Sequence, residues 1–292
     1  MRFTLSPELR AFAATIDAFL SKSDVPAVAR AWAAADHGPG LTLWRGLADL
    51  GVLGLTEPVD LAVAFEAVGR FAVPGPLIES VAVVPRLAPH LASSLAEGTL
   101  IATTAIPPHV PYAVDADIAE VVPPGVSGVG VESVDRTRRL FPATGGDDAA
   151  FDWGVLACSA QLVGLAQAML DQTVAHAKTR TQFGRPIGQF QAVKHQLADV
   201  HVAIDFARPL VYGAAVTMAP IDVSAAKVAA GEAANLAGRA ALQIHGAVGY
   251  TQECDLGLWL TKARALRSSW GTAAAHRGRI LTELGADASA AR

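Results

Sequence analysis

Arg180, Phe183 and Gln191 stand in the run Arg180-Thr181-Gln182-Phe183-Gly184-Arg185-Pro186-Ile187-Gly188-Gln189-Phe190-Gln191, continuing through Lys194, His195 and Asp199. A helix ending at Arg180, a Gly/Pro-rich turn carrying Phe183 and a new helix opening near Gln191 set a cation, an aromatic face and an amide on one corner. Guanidinium and amide donors suit phosphate oxygens and an aromatic face suits a planar ring, so the corner suits a nucleotide diphosphate. Each residue alone also has an ordinary role. Arg180 can complement a helix C-terminus, the two phenylalanines can flank a turn as core, and the glycines and Pro186 can simply shape it.

A second group weights the balance toward a ligand. Gln243-Ile244-His245-Gly246-Ala247-Val248-Gly249-Tyr250 ends a long alanine-rich segment with a glycine turn. That leaves a side-chain amide beside small residues, past which backbone can approach a phosphate. An ordinary glycine C-cap is the competing reading, and His245 alone reads as a structural histidine.

The elements that must position these groups are mostly helices. From Leu5 to about Ala96 apolar residues such as Leu9, Phe12, Ile16 and Leu20 recur at helical spacing, and Ser6-Pro7 has the form of an N-cap followed by proline at the first helical position. Between Leu100 and Ala143 the β-branched residues Val110, Val114, Ile118, Val121, Val122, Val126, Val129 and Val131 are broken up by Pro, Gly and Asp, which predicts short strands. Helical periodicity returns over Asp152 to Lys178, Gln191 to Met218 and Asp222 to His245, with a further helix from Leu256. Val193, Leu197, Val200 and Ile204 form one buried stripe, and Pro209 is expected to kink that helix or end it early. The fold class is therefore α+β, mainly α: an N-terminal helical domain (1–96), a short central β domain (97–146) and a C-terminal four-helix bundle (147–292).

Composition excludes several classes of function. With 292 residues, 52% of them hydrophobic, the chain can bury a large core. A net charge of −4 without a Lys/Arg block argues against nucleic acid. Ala203 to Pro220, interrupted by Asp205, Arg208 and Pro209, is too broken to cross a bilayer, so no membrane span is expected. Met1 to Glu8 lacks the form of a secretory signal, which predicts a cytoplasmic protein. Cys158 and Cys254 fit no metal-ligand spacing and read as buried thiols; no metal site is expected.

Taken together and in this order, the Arg180 and Gln243 segments resemble the acyl-CoA dehydrogenase family, and the resemblance covers nearly the whole chain. Ala64 to Arg70 followed by Pro74-Gly75-Pro76-Leu77-Ile78-Glu79-Ser80 is similar to that family's N-terminal domain. The resemblance implies FAD lying across a subunit interface. Arg180, Phe183, Gln191, Gln243 and Gly246 would then reach the ADP half of a flavin held mainly by a neighbouring subunit, with Ala247 standing where a second glycine is usual.

The family's general base is a glutamate that removes the α-proton of an acyl-CoA thioester. Trp270, in Ser268-Ser269-Trp270-Gly271-Thr272, occupies the usual position, and Gly154 occupies the alternative one used by some relatives. Asp152 is the nearest carboxylate, with an N-cap role as its simpler reading. The short central domain lacks the Thr-Glu-Pro and Gly-Ser-Asp loop expected against the flavin ring; Thr56-Glu57-Pro58 lies instead in the N-terminal region. Ala274 replaces a polar residue that helps hold the cofactor. The resemblance thus implies a non-catalytic subunit of a heterotetramer, partnered by a homologous catalytic subunit that supplies the glutamate and takes an acyl-CoA, a steroid side-chain thioester among the possibilities. Two alternatives stand beside it: a self-sufficient homo-oligomeric dehydrogenase with an unusual base, and a non-enzymatic interaction protein of the same fold.

Overall fold

The computed structural model describes residues 4–122, 125–126, 128–144, 146–251 and 254–290. Four helices open the chain: α1 (Pro7–Leu20), α2 (Val25–Ala33), α3 (Gly38–Asp49) and α4 (Pro58–Gly69). The Ser6 hydroxyl accepts from the Leu9 amide at 3.2 Å and Pro7 is the first helical residue, as the sequence predicts. Glu57 is the residue before α4, so the Thr56-Glu57-Pro58 triplet starts a helix. A π-helical segment, Ile78–Val83, runs into the short helices α5 (Val84–Leu87) and α6 (Ala92–Ala96).

The central region forms short strands. β1 (Ala102–Thr103) pairs in parallel with β3 (Glu120–Val121), and β2 (Tyr112–Val114) pairs antiparallel with β4 (Leu140–Pro142). Val110, Val126 and Val131 take part in isolated bridges rather than ladders. Prolines and glycines between them keep each run too short for a continuous sheet.

The C-terminal part supplies α7 (Phe151–Thr179), then the two-stranded hairpin β5 (Thr181–Gln182) and β6 (Arg185–Pro186), then α8 (Gln191–Thr217), α9 (Pro220–His245), α10 (Leu256–Ser268) and α11 (Ala273–Ala290). α7 is the centre of the molecule: nearly every residue from Val155 to Met169 is buried. α4 crosses it at two glycines, where there is no room for a side chain. A Cβ at Gly164 would lie 2.1 Å from the Glu66 carbonyl oxygen, and one at Gly69 would lie 2.4 Å from that of Gln161. α9 presents the buried alanines Ala226, Ala230, Ala233, Ala234, Ala237 and Ala241, small enough for close approach of its neighbours α7 and α8. One apolar core therefore joins the first helices to the last.

Three expectations are corrected. Of the kink or early end expected at Pro209, the early end is not seen: α8 runs through it. The missing amide costs one hydrogen bond, while the buried residues Val200, Ile204 and Ala207 before it and Val211, Ala214 and Ala215 after it hold both halves against the core. A stretch of membrane-crossing length and apolarity does exist in α7, whose residues 153 to 170 contain no charge and no proline. With 89% of that window buried in the protein, it is a core helix. Of the cysteines, Cys158 is buried but Cys254 is only half-buried, beside the surface turn that opens α10.

Candidate functional site

The Arg180 corner is a hairpin standing off the bundle. Phe183 and Gly184 are its two loop residues, at φ +51° and +78°, and consecutive left-handed residues match the right-handed twist of a tight hairpin. A phenylalanine tolerates that conformation poorly, yet here its ring is 93% exposed. Phe190 meets it edge to face at 6.2 Å, and the Arg185 guanidinium lies 4.2 Å above the Phe190 ring. Arg180 is the C-cap of α7: its amide donates to the His176 carbonyl at 2.8 Å and its own carbonyl accepts from Ile187 at 2.8 Å. The backbone at Arg180 is thus fixed while its exposed side chain has no ion pair among the described residues. Gln191, the first residue of α8, is exposed as well.

The Gln243 turn comes to the same end of the bundle. α9 ends at His245, and the rings of His245 and His176 stack at 4.2 Å with planes 23° apart. This pair ties the C-terminus of α9 to that of α7, four residues before Arg180 and two after Gln243. His245 Nδ1 also meets the Ala241 carbonyl at 2.8 Å. Gly246 has φ +63° and ψ −141°, a conformation reserved for glycine. Ala247 follows at ordinary negative φ, so this turn does not need a second glycine there. Exposed Gln243 and Ala247 flank it. The donor set fits a phosphate-bearing ligand: one guanidinium and two amides, without side-chain hydrogen bonds among the described residues, beside an open glycine turn and a bare aromatic face.

Trp270 and Gly154, the two positions at which the resemblance expects a base, meet in space. A Cβ at residue 154 would lie 2.3 Å from Cε3 and Cζ3 of the Trp270 indole, which is fully buried. The indole fills the volume that either side chain would use, and absence of a side chain at Gly154 is what admits it. Trp270 is held there in a strained turn, at φ +57° with Gly271 at φ +90°. His276 Nε2 bonds the Trp270 carbonyl at 2.8 Å and Nδ1 meets Ser224 Oγ at 3.2 Å. Burial pushes the His276 pKa down to about 4, so the ring is neutral, with Nε2–H donating to the carbonyl. Lys227 Nζ donates to the carbonyls of Leu266 (3.0 Å), Arg267 (3.2 Å) and Gly271 (3.4 Å), closing the C-terminus of α10.

Two carboxylates lie near the indole. Glu79 is fully buried; burial raises its pKa, and its closest cation is the Arg138 guanidinium at 3.5 Å. Asp152 is not the N-cap the sequence suggests. Ala150 precedes the helix, and the Asp152 carboxylate in the first turn is held by both terminal nitrogens of Arg279, one at 2.8 Å. This two-point pairing ties both carboxylate oxygens of Asp152 to α11. The pair lines a cleft of about 390 Å³ with His109, Asp148, Phe151 and His276. Glu79, Lys227, His276 and Arg279 escape the sequence reading. A lysine inside the alanine run Ala225-Ala226-Lys227-Val228-Ala229 was the one available signal, because a charge on a buried face calls for a partner.

Comparison with known proteins agrees with this architecture. Residues 148–285 match the family model of the acyl-CoA dehydrogenase C-terminal domain. Acyl-CoA dehydrogenase IpdE2 of Mycobacterium tuberculosis is 32% identical over 283 residues, covering 85% of this chain and 88% of that protein. Among solved structures, butyryl-CoA dehydrogenase of Megasphaera elsdenii superposes with a TM-score of 0.82 at 20% identity, over 97% of this chain and 100% of the other. The ChsE4-ChsE5 complex of Mycobacterium tuberculosis gives 0.79 at 21% identity, over 98% and 99%.

Proposed function

This chain belongs to the acyl-CoA dehydrogenase family, and we propose that it is the non-catalytic subunit of a heteromeric member, lending the ADP-half contacts to a flavin that its partner uses. FAD is the cofactor of the family, and its chemistry, hydride acceptance from the acyl chain, is supplied on the partner's side. In this reading Arg180 and the Gln191 and Gln243 amides bind the diphosphate, Phe183 covers the adenosine, and Gly246 lets the backbone approach. Trp270 and Gly154 provide no base, and Asp152 is held by Arg279.

One observation carries the reading: the Trp270 indole fills the space over Gly154, leaving neither base position a carboxylate, while the Arg180 corner stands open to solvent. Co-expression with a homologous subunit that carries the glutamate tests it. The complex is expected to carry flavin and to dehydrogenate an acyl-CoA, and the chain alone to do neither. Turnover by the chain alone would establish the self-sufficient enzyme instead, and a complex without flavin would establish the interaction protein.

A further inference from the structure

We propose that His176 and His245 are positioning residues of this corner: their stack locks the C-terminus of α7 against that of α9, so that Arg180 and Gln243 address one diphosphate, and it links retention of the flavin to pH. The inference rests on the proposed role of the Arg180 corner and adds a device that this role does not require. The two residues belong to different helices and meet face to face at 4.2 Å, four residues before Arg180 on α7 and two after Gln243 on α9. The His176 backbone carbonyl accepts from the Arg180 amide, and the His245 ring is tied to the last turn of α9 through Nδ1 and the Ala241 carbonyl. Separating the two rings therefore removes a contact between the helix ends that carry Arg180 and Gln243.

The geometry also fixes the sign of the pH dependence. Among the described residues, the titratable and charged groups that face His176 are His245 from α9 and Arg180 from the end of α7. Burial first, and then the neighbouring His245 ring and Arg180 guanidinium, hold His176 below the ordinary histidine value. A diphosphate brought against Arg180 supplies negative charge next to His176 and favours protonation of that ring. The bound state then holds more protons than the free state, so affinity rises as pH falls through the histidine range. One linked proton allows at most about a tenfold change per pH unit.

The test uses the co-expressed complex, stripped of flavin and titrated with FAD by fluorescence at about pH 6 and about pH 8. Wild type is expected to bind several-fold more tightly at the lower pH. His176→Phe preserves an aromatic stack without a titratable group; it should retain the affinity seen at pH 8 and lose the pH dependence. His176→Ala and His245→Ala, which remove the stack, should weaken binding at both pH values by about tenfold. Full pH dependence in His176→Phe, or unchanged affinity in both alanine variants, overturns the inference. Arg180→Ala separates the two levels: if it leaves affinity unchanged, the role of the corner itself is wrong. If it weakens binding while the histidine variants do not, only the positioning role falls.

Discussion

The Trp270 indole lies against the bare backbone of Gly154, at a distance that leaves no room for even a methyl group. Helix propensity alone would make Gly154→Ala favourable by about 1 kcal/mol. In this packing the same change should destabilise by about 1–3 kcal/mol, because the fully buried indole has nowhere to move. Urea unfolding checks it, and a double-mutant cycle sharpens it. In a Trp270→Ala background, itself costing about 3–5 kcal/mol, Gly154→Ala should become stabilising.

The turn that presents Trp270 should depend on Lys227. Its ammonium serves three backbone carbonyls in a buried setting, so Lys227→Met leaves those of Arg267 and Gly271 without it and that of Leu266 with only the weak Cys158 thiol donor, and should cost about 2–4 kcal/mol. An equilibrium unfolding curve indistinguishable from wild type would show that the carbonyls find other donors.

His276 should make the fold acid-labile. Its pKa is about 4 in the folded protein against about 6.5 in an unfolded chain. The unfolded state therefore binds the proton first, and stability falls as pH drops from about 6.5 toward 4, by up to about 3 kcal/mol. His276→Gln retains an amide donor without the titration. Its loss of melting temperature between about pH 7 and pH 5 should be smaller than that of wild type; an equal loss would assign the acid lability to other groups.

Glu79 should behave as a neutral acid. Burial raises its pKa, and Arg138 approaches no closer than 3.5 Å. For a carboxyl that folding holds protonated, stability declines as pH rises through its folded pKa. Glu79→Gln should therefore change stability by less than about 1 kcal/mol near pH 5 and improve on wild type on the alkaline side. A large loss at both pH values would mean that an ionised Glu79–Arg138 pair holds the fold.

Local pattern made most of the helices legible, because amphipathic spacing and caps such as Ser6 are written in adjacent residues. The turn between Arg180 and Gln191 was legible too, since one continuous Gly/Pro-rich run carries it. What sequence did not yield depends on partners distant in the chain. Asp152 looked like a cap because its partner, Arg279, comes from α11, far along the chain. Pro209 reads as a kink or an early end because its removal of one hydrogen bond is local, while the burial of Ile204 and Val211 that carries α8 through it is not. The meeting of Trp270 with Gly154 likewise needed the fold: sequence singles out both residues but not that the side chain of one fills the space over the other.

The central claim is that this chain holds the diphosphate end of a flavin whose reactive end belongs to a partner. The most direct measurement is flavin stoichiometry, by absorbance, of the co-purified complex with wild-type chain and with Arg180→Ala. The account predicts flavin in the wild-type complex and a loss of at least about tenfold in affinity in the variant, the size expected for removing one charge-assisted phosphate contact of about 1.5–3 kcal/mol, with assembly of the two chains intact. An assembled Arg180→Ala complex with undiminished flavin would contradict it.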